Sequence, residues 1–287
     1  MSDTLCERLG YAPDTRLLII NADDFGMCHA ANAATIDGLS PGAYTSSTIM
    51  VPCPWFAETA AYAKTTPEAD LGVHLTTTSE WETLKWGPVA ARGDVASLVD
   101  ERGHFPRDIR SVYRRASLDE VERECRAQID QALAAGIDVT HLDSHMGTMQ
   151  LEPRYHELYL RLAADYRLPL RMASARLLDR MGVPGMREIA HSLGVLAPDE
   201  LWFNGPPEPA ATAGFWNRLF EKLQPGVNEI IVHAGYDQPE LRACCPAWEQ
   251  RVVDHDFFMA ESTHARLRAL GIVPIGYRDL REAQRAA

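Results

Sequence analysis

The 287-residue sequence lacks several motifs that identify common protein classes. None of its six cysteines forms a C-x-x-C pair, which argues against a zinc ribbon or a thioredoxin-type site and favours reduced structural thiols. It has neither the glycine fingerprint of dinucleotide-binding folds nor a phosphate-binding P-loop. No repeat, low-complexity tract or linker divides it, so we expect one domain over residues 1–287.

Long apolar segments and excess positive charge are also missing. No segment is apolar enough to cross a bilayer, and polar residues 1–16 lack the features of a secretory signal, so we expect a cytoplasmic protein. The chain has 28 Lys and Arg against 40 Asp and Glu, a formal net charge of −12. Nucleic acid and anionic membranes are therefore poor partner candidates, and a small-molecule substrate is favoured.

Short apolar runs of strand type recur along the chain, most of them separated by segments of helix length. The runs are Leu17 to Ile20, Thr48 to Val51, Leu71 to Val73, Val139 to Leu142, Leu168 to Met172, Leu201 to Phe203, Glu229 to Val232 and Ile272 to Ile275. Solidly apolar strands that alternate with helices predict a parallel sheet covered by helices. Seven or eight such units favour an α/β fold of the (β/α) barrel, TIM-like type, complete or missing a strand.

The clearest helix is predicted over residues 117–136. Ser117 and Glu120 fit a capping box at its start, and Gly136 fits its end. A spacing of four predicts an apolar stripe made of Val121, Cys125, Ile129 and Leu133.

One long connection breaks the alternation of strands and helices. Residues 76–116 are rich in Gly, Pro, Trp and charge, and so long a connection in a compact domain is usually functional. We therefore predict a lid inserted after the third strand, in which Trp81 and Trp86 either stack on a ligand or pack the lid onto the barrel. A second irregular region, residues 173–209, is predicted to cover the same face.

Four of the predicted strands end in polar residues. In parallel β/α proteins the chemistry lies at the carboxyl ends of strands, which meet at one rim. The strand-end residues are Asp23 and Asp24 after the first run, His74 after the third, His141, Asp143 and His145 at the fourth, and His233 late in the chain.

Each strand-end residue has a structural alternative. Asp23 or Asp24 could cap the helix that begins near His29, and a single histidine at a strand end could be a hydrogen-bonded core residue. Their coincidence at four strand ends favours a functional site. One carboxylate and two imidazoles hold a catalytic divalent ion while leaving positions open, and the remaining Asp and His are then placed for general base and general acid.

The motifs LLIINADDFG, GVHLT, THLDSH and EIIVHAGYD, in this order, resemble those of the YdjC-like carbohydrate deacetylases, which include chitooligosaccharide and hopanoid-associated deacetylases. The resemblance covers most of the chain from about Leu17 to the last strand. It implies an incomplete or distorted TIM-type barrel and a metal-dependent hydrolase that removes acetyl from an N-acetylated sugar. The chain differs from the family at Met146 and Gly147, where further histidines are usual.

The resemblance also implies roles for individual residues. Asp24, His74 and His145 match the metal ligands, Asp23 the catalytic base, and His233 the acid. Arg171 resembles an arginine that supports the acidic site, while His141 and Asp143 are left as residues that orient the ligands or contact the substrate.

The reaction implied is the release of acetate from the amino sugar, with one divalent ion, zinc or magnesium, as cofactor. Manganese, nickel and cobalt suit the same ligands. Two alternatives stay open, namely hydrolysis of another amide or ester, and a non-catalytic metal- or sugar-binding regulator on the same scaffold. A homodimer is compatible with the sequence.

Overall fold

The computed structural model describes residues 4–40 and 42–286, and within them seven strands form one curled, all-parallel sheet. The strands are β1 (Arg16–Phe25), β2 (Ser46–Ile49), β3 (Leu71–Leu75), β4 (Val139–Ser144), β5 (Glu200–Trp202), β6 (Gly226–His233) and β7 (Ile272–Pro274). Their order is β4-β3-β2-β1-β6-β5, with β7 paired to β1. The predicted α/β fold with a parallel sheet is confirmed, and the sheet curls into a half-barrel that is consistent with a partial TIM-like barrel.

Strand β1 is the centre of the sheet. It pairs along its length with β6, through its first residues with β7 and through its last residues with β2. Every residue from Leu17 to Phe25 is buried, because strands lie on both sides and helices cover the faces.

The described residues contain thirteen α-helices. These are α1 (Leu5–Arg8), α2 (His29–Leu39), α3 (Phe56–Thr65), α4 (Ile109–Arg115), α5 (Leu118–Ala134), α6 (Pro153–Tyr166), α7 (Ala175–Met181), α8 (Met186–Ser192), α9 (Thr212–Lys222), α10 (Pro239–Cys244), α11 (Trp248–Met259), α12 (Glu261–Ala269) and α13 (Tyr277–Ala286). Short 3₁₀ turns occur at Arg92–Asp94, Ala96–Leu98, His145–Gly147 and Pro209–Ala211. None of the helices is long and apolar enough to span a membrane.

The run Leu168 to Met172 is not a strand, contrary to the prediction. Leu170 forms only an isolated parallel bridge with Leu142, and the N–H of Leu170 donates instead to the carbonyl of Leu196. Pro169 has no N–H to donate, so the ladder with β4 does not extend beyond this single bridge. The remaining seven runs each overlap a strand, which leaves the barrel short of its eighth.

Helix α5 forms where it was predicted, but two of its details differ. The Ser117 side chain makes no capping bond, and the Glu120 carboxylate accepts from the N–H and hydroxyl of Ser97, so the predicted capping box is wrong. Leu133 is 45 % exposed. A spacing of four advances by about 40° per step on a 3.6-residue helix, so the fourth member has rotated off the buried face.

Buried polar side chains of α5 hold the connection that follows β3. The Glu124 carboxylate accepts from the N–H groups of Val89 and Ala90, and the Gln128 amide bonds both the N–H and the carbonyl of Thr76. The connection therefore runs along α5. That it acts as a lid, and that residues 1–287 form one domain, remain predictions.

All six cysteines are buried and free, as predicted. Two lie on separate helices, two lie in the loops before α2 and α3, and two are adjacent at the end of α10, namely Cys6, Cys125, Cys28, Cys53, Cys244 and Cys245 in that order. They are packing residues of the core.

A buried carboxylate at the base of the sheet makes stability depend on pH. Asp70 accepts hydrogen bonds from the Thr140 hydroxyl and from the N–H of Arg278, the latter at 2.6 Å. Burial raises the pKa of Asp70 from 3.8 to about 6. The folded protein therefore binds this proton more tightly than the unfolded chain, and stability falls as the pH rises from about 4 through about 6.

We expect Asp70→Asn to remove this loss. Asparagine keeps both contacts, since its oxygen accepts from Arg278 while its NH₂ group donates to Thr140. Between pH 4 and pH 7 the variant should gain about 2–3 kcal/mol in unfolding free energy relative to the wild type. Urea unfolding of both proteins at the two pH values measures this. If the difference in unfolding free energy between the two proteins is the same at pH 4 and pH 7, the pKa of Asp70 is not raised by folding.

Candidate active site at the carboxyl edge of the sheet

The carboxyl ends of β1, β3, β4 and β6 bring polar side chains to one edge of the sheet. Asp23 is in register with His233, and His74 is in register with Asp143. Parallel strands carry their last residues to the same edge, so residues distant in sequence become neighbours. The side chains gathered there are Asp23, Asp24, His74, Asp143, His145 and His233.

Three buried side chains each direct one ligand atom toward a common point. Oδ1 of Asp24 lies 3.5 Å from Nε2 of His74 and 3.4 Å from Nδ1 of His145, and the two ring nitrogens are 3.3 Å apart. Ligand atoms about 2.0–2.1 Å from a tetrahedral ion lie about 3.3–3.4 Å from one another. The spacing of Asp24, His74 and His145 thus fits a divalent cation.

The other nitrogen of each ring is held by a carboxylate. Nδ1 of His74 bonds Oδ1 of Asp143, and Nε2 of His145 bonds Oε2 of Glu80 at 3.0 Å. A carboxylate accepts a hydrogen bond from a ring N–H. In the neutral imidazoles the proton is therefore on the nitrogen that faces Asp143 or Glu80, and the nitrogen that faces Asp24 carries the lone pair. Metal-binding histidines are oriented in this way.

The backbone of Asp24 places its carboxylate at the cluster. Its φ of +68° is in the left-handed region, and the β1–β2 register shifts between Ala22 and Phe25. Aspartate tolerates this conformation. At Asp24 it interrupts the alternation of side chains along β1, so the Asp24 side chain does not point to the same side of the sheet as Leu18 and Ile20. Neither Asp23 nor Asp24 caps α2, whose N-cap is Cys28 without a side-chain bond.

One oxygen of Asp24 is fixed and the other is open. Oδ2 accepts from Nη2 of Arg251 at 2.5 Å, whereas Oδ1 has no hydrogen-bond partner among the described residues. A buried carboxylate oxygen without a partner is costly unless a cation or a donor binds it. This oxygen faces His74 and His145, so the chemistry of the donor set also fits a metal ion.

The surroundings of the two imidazoles favour positive charge. Burial lowers the pKa of both rings, but neighbouring carboxylates outweigh it. The pKa of His74 rises to about 10 beside Asp143, and that of His145 to about 9 beside Glu80 and Asp24. The same carboxylates would stabilise a cation between the rings.

Asp23 is held beside the cluster by Arg171. Nη1 and Nη2 of Arg171 donate to Oδ2 and Oδ1 of Asp23, both at 2.7 Å, and the Asn21 amide donates to Oδ1 at 2.8 Å. Burial raises the pKa of Asp23, but Arg171 outweighs burial and holds it below its usual value. Oδ2 lies 3.9 Å from Nε2 of His74. Asp23 is thus an ionised, fixed carboxylate next to the ligand cluster.

A second group, Asp23, His74 and Asp143, also lies close enough to share an ion. Its oxygens already have partners, because Arg171 donates to both oxygens of Asp23 and lies 2.6 Å from Oδ2 of Asp143. A guanidinium at this position excludes a second cation by like-charge repulsion. The cluster around Asp24 is the better cation site.

His233 ends β6 at the open side of the edge. Its Nε2 lies 3.9 Å from Oδ2 of Asp24, and its side chain is 44 % exposed, far more than Asp23, Asp24 or the two clustered histidines. It is therefore the strand-end side chain that substrate and solvent reach most easily.

His141 lies deeper, away from the cluster. Its ring stacks on Tyr277, with centroids 3.7 Å apart, and its Nδ1 bonds the Thr140 hydroxyl at 2.9 Å. It does not line the cavity at the sheet edge. Of the three residues predicted to orient ligands or contact substrate, the structure brings Asp143 and Arg171 to the site and leaves His141 in the barrel interior.

The site opens into a cavity of about 620 Å³, a volume suited to a small-molecule ligand. Trp81 lines the cavity. Trp86 is buried behind Trp81, with the two rings edge-on and their centroids 5.8 Å apart. Met146 and Gly147 form part of the wall. Two of the positions at which the chain differs from the family pattern therefore face the cavity, whereas a third, Thr77, does not line it.

Sequence reasoning missed two site residues, Glu80 and Arg251. Glu80 lies in the irregular connection after β3, five residues beyond its end, and Arg251 lies on α11, so neither stands directly at the end of a strand. Arg251 occupies a buried position of its helix, together with Asp254, His255 and Phe258. The repeated burial of charged residues at helical spacing shows only in the structure.

Comparison with known proteins identifies the family of the chain. A family model described as YdjC-like protein matches residues 17–269. A carbohydrate deacetylase of Thermus thermophilus is 37% identical over 285 residues, covering 97% of this chain and 98% of that protein. One of Geobacillus stearothermophilus is 29% identical, covering 92% and 98%.

A solved structure has a similar fold. A crystal structure from Enterococcus faecalis V583, named for a supposed cellobiose-phosphate cleavage activity, superposes with a TM-score of 0.82 at 28% identity. It covers 93% of this chain and 99% of that one. The chain belongs to the YdjC-like protein family.

Proposed function

We propose that the protein is a metal-dependent hydrolase that removes acetyl groups from N-acetylated sugars. The observation that carries the proposal is the convergence of Asp24, His74 and His145 beside the ionised Asp23 in one cavity. Relatives named carbohydrate deacetylase supply the substrate class.

We assign one divalent cation to Asp24, His74 and His145, with Asp143 and Glu80 holding the two rings. When bound, such an ion polarises an amide carbonyl and lowers the pKa of water toward about 7. Two imidazoles and a carboxylate suit zinc, and magnesium is the second candidate.

Asp23 is assigned the role of general base. Arg171 keeps it ionised and in one orientation, at some cost to its proton affinity. Asp143 and Glu229 also lie 2.6 Å and 2.7 Å from Arg171, so three carboxylates share its charge. Arg171 therefore lowers the proton affinity of Asp23 less than it would if Asp23 were its single partner. Asp23 then takes a proton from the water that attacks the acetyl carbon.

His233 is assigned the role of general acid. Water adds to the acetyl carbon, the C–N bond breaks, and the departing nitrogen needs a proton to leave as an amine. His233 lies at the open side of the site, where the sugar nitrogen would sit. The products are acetate and the free amino sugar.

Arg251 supplies a further donor. Its Nη2 holds Asp24, while its buried Nη1 has no partner among the described residues and the side chain lines the cavity. We assign Nη1 to an oxygen of the substrate, either the acetyl oxygen or a sugar hydroxyl. Trp81 lies beside it, 5.9 Å from the guanidinium, and offers a ring face to the sugar.

The proposal is tested by acetate release from N-acetylglucosamine oligomers. We expect acetate and free amine in equal amounts, loss of activity when a chelator removes the metal, and recovery on adding zinc or magnesium. Acetate from O-acetylated sugars alone would indicate an esterase. Tight sugar binding with intact metal and no product would favour the binding regulator, although Asp23 and His233 argue against it because binding needs neither base nor acid.

A further inference from the structure

The connection after β3 holds the turn that carries His145. Oε2 of Glu80 lies 3.0 Å from Nε2 of His145, and the hydroxyl of Thr78 donates to Sδ of Met146 at 3.3 Å. The ring of Trp86 lies edge-on to that of His145, with centroids 6.2 Å apart. The turn His145–Gly147 is therefore fixed by this connection as well as by β4.

The two histidines of the cluster differ in what orients them. His74 bonds Asp143, a residue of β4 that also accepts from the hydroxyl of Thr48 at 3.0 Å and pairs with Arg171. Strands of the sheet therefore fix the ring of His74. Glu80 lies outside every helix and strand, and His145 is its one side-chain partner within the described residues. The orientation of His145 thus depends on the position of the connection.

Hydrogen bonds close the connection into a compact loop over residues 78–86, here called loop 78–86. The ammonium of Lys85 donates to the carbonyl of Ser79 at 2.6 Å, and the backbone N–H of Trp86 donates to the hydroxyl of Ser79 at 3.2 Å. These bonds join the two ends of the loop around Glu80. Glu80 is therefore expected to move together with the rest of the loop.

The same loop lines the cavity of the proposed active site through Trp81. Trp81 follows Glu80 directly in the sequence, and its ring lies 5.9 Å from the guanidinium of Arg251, which donates to Asp24. A sugar stacked on this ring would restrain the backbone that carries Glu80. Sugar contact and the orientation of one metal ligand therefore meet in two adjacent residues.

We propose that Glu80 is a positioning residue through which loop 78–86 couples the binding of the sugar to the binding of the metal ion. The inference rests on the proposed function and adds a regulation of the same site. When Glu80 accepts the N–H of Nε2, Nδ1 of His145 keeps its lone pair toward Asp24 and is a better ligand. A sugar that holds the loop in place then strengthens metal binding, and the metal strengthens sugar binding by the same factor.

The first test measures the Kd of Zn²⁺ for the metal-free protein and its variants. Glu80→Gln keeps a hydrogen-bond acceptor without the charge, and Glu80→Ala removes both. The matched controls are Glu82→Gln and Glu82→Ala, because Glu82 lies on the same loop, is 71 % exposed and pairs with Arg107. We expect Glu80→Ala to weaken zinc binding by about 10–100-fold, Glu80→Gln to weaken it less, and the controls to match the wild type.

Thermal unfolding of the metal-free proteins shows whether each variant is folded. If Glu80→Ala does not fold, Glu80→Gln carries the test. Folded Glu80 variants that bind zinc as tightly as the wild type would overturn the inference.

Hydrogen–deuterium exchange tests whether the loop responds to the metal. Zinc should slow amide exchange over residues 78–86 in the wild type and leave it unchanged in Glu80→Ala, because the ion then no longer acts on the loop through His145. If Glu80 served only to stabilise the fold, its removal would raise exchange equally with and without zinc. That result would also count against the inference.

The second half of the coupling is measured with N-acetylchitotriose in an Asp23→Asn background, which should bind the sugar without releasing acetate. We expect the sugar to tighten zinc binding by about fivefold or more, and added Glu80→Ala to reduce this factor. Direct contact between sugar and ion would give a factor that Glu80→Ala leaves unchanged, and an equal factor in both backgrounds would therefore refute the coupling.

The proposed deacetylase function fails separately from this inference. Its failure is the absence of acetate from any N-acetylated probe in the wild type. The zinc affinities and the exchange rates do not depend on turnover, so they decide the role of Glu80 in either case.

Discussion

Replacing Asp23 by asparagine is expected to abolish acetate release while leaving the bound metal in place. The ligand atoms of Asp24, His74 and His145 do not involve Asp23, so the cluster keeps its spacing. Asparagine cannot accept the proton from the attacking water, and the loss of a general base costs about 10²–10⁴-fold in kcat. Acetate release and elemental analysis of the dialysed protein measure the two effects together.

The matched variant is His74→Ala, which should lose metal and activity together. His74 supplies one of three ligand atoms and is the ring that Asp143 orients. Removing it leaves Asp24 and His145 alone at the point where the ion would bind. Metal loss in Asp23→Asn, with full metal content in His74→Ala, would reverse the assignment of base and ligand.

The positions of the strands could be predicted from the sequence because parallel strands are buried on both faces. Seven apolar runs became strands, and the exception, Leu168 to Met172, contains a proline that cannot donate to a ladder. The details of α5 could not be predicted. Ser97 donates to the Glu120 carboxylate and accepts from the N–H of Ser117. It lies 20 residues before Ser117, so only the tertiary fold brings it to the start of α5.

The site could be predicted in part because the strands are parallel and their carboxyl ends lie at the same edge of the sheet. The rule that carboxyl ends of parallel strands meet at one edge predicts that Asp24, His74 and His145 share this edge with the other strand-end residues, and the family resemblance singles these three out as ligands. It could not identify Glu80 or Arg251, which reach the edge from a loop and a helix. It also could not separate His141 from His145, because the two are four residues apart at the end of the same apolar run, although His141 lies within β4 and His145 begins the turn that follows it.

Arg171→Met is expected to destabilise the fold as well as the reaction. The Arg171 guanidinium is buried and pairs with Asp23, Asp143 and Glu229, which belong to β1, β4 and β6. Removing the guanidinium that three buried carboxylates share leaves much of their charge uncompensated, and breaking such a buried pair costs about 3–5 kcal/mol. Chemical unfolding measures the loss, and Arg266→Met, which breaks an exposed pair with Glu221, should change stability by about 0–1 kcal/mol.

Two further measurements separate lost charge balance from lost packing in Arg171→Met. Burial already raises the pKa of Glu229 to about 7, against the opposing effect of Arg171. Without Arg171, Glu229 and Asp23 bind protons more tightly in the folded protein, so the stability deficit should shrink as the pH falls toward 5. Adding Glu229→Gln removes one of the uncompensated charges, so the double variant should recover part of the loss. If the loss of stability changes neither with pH nor on adding Glu229→Gln, repulsion among the carboxylates contributes nothing measurable. Arg171 would then stabilise the sheet through the volume of its side chain.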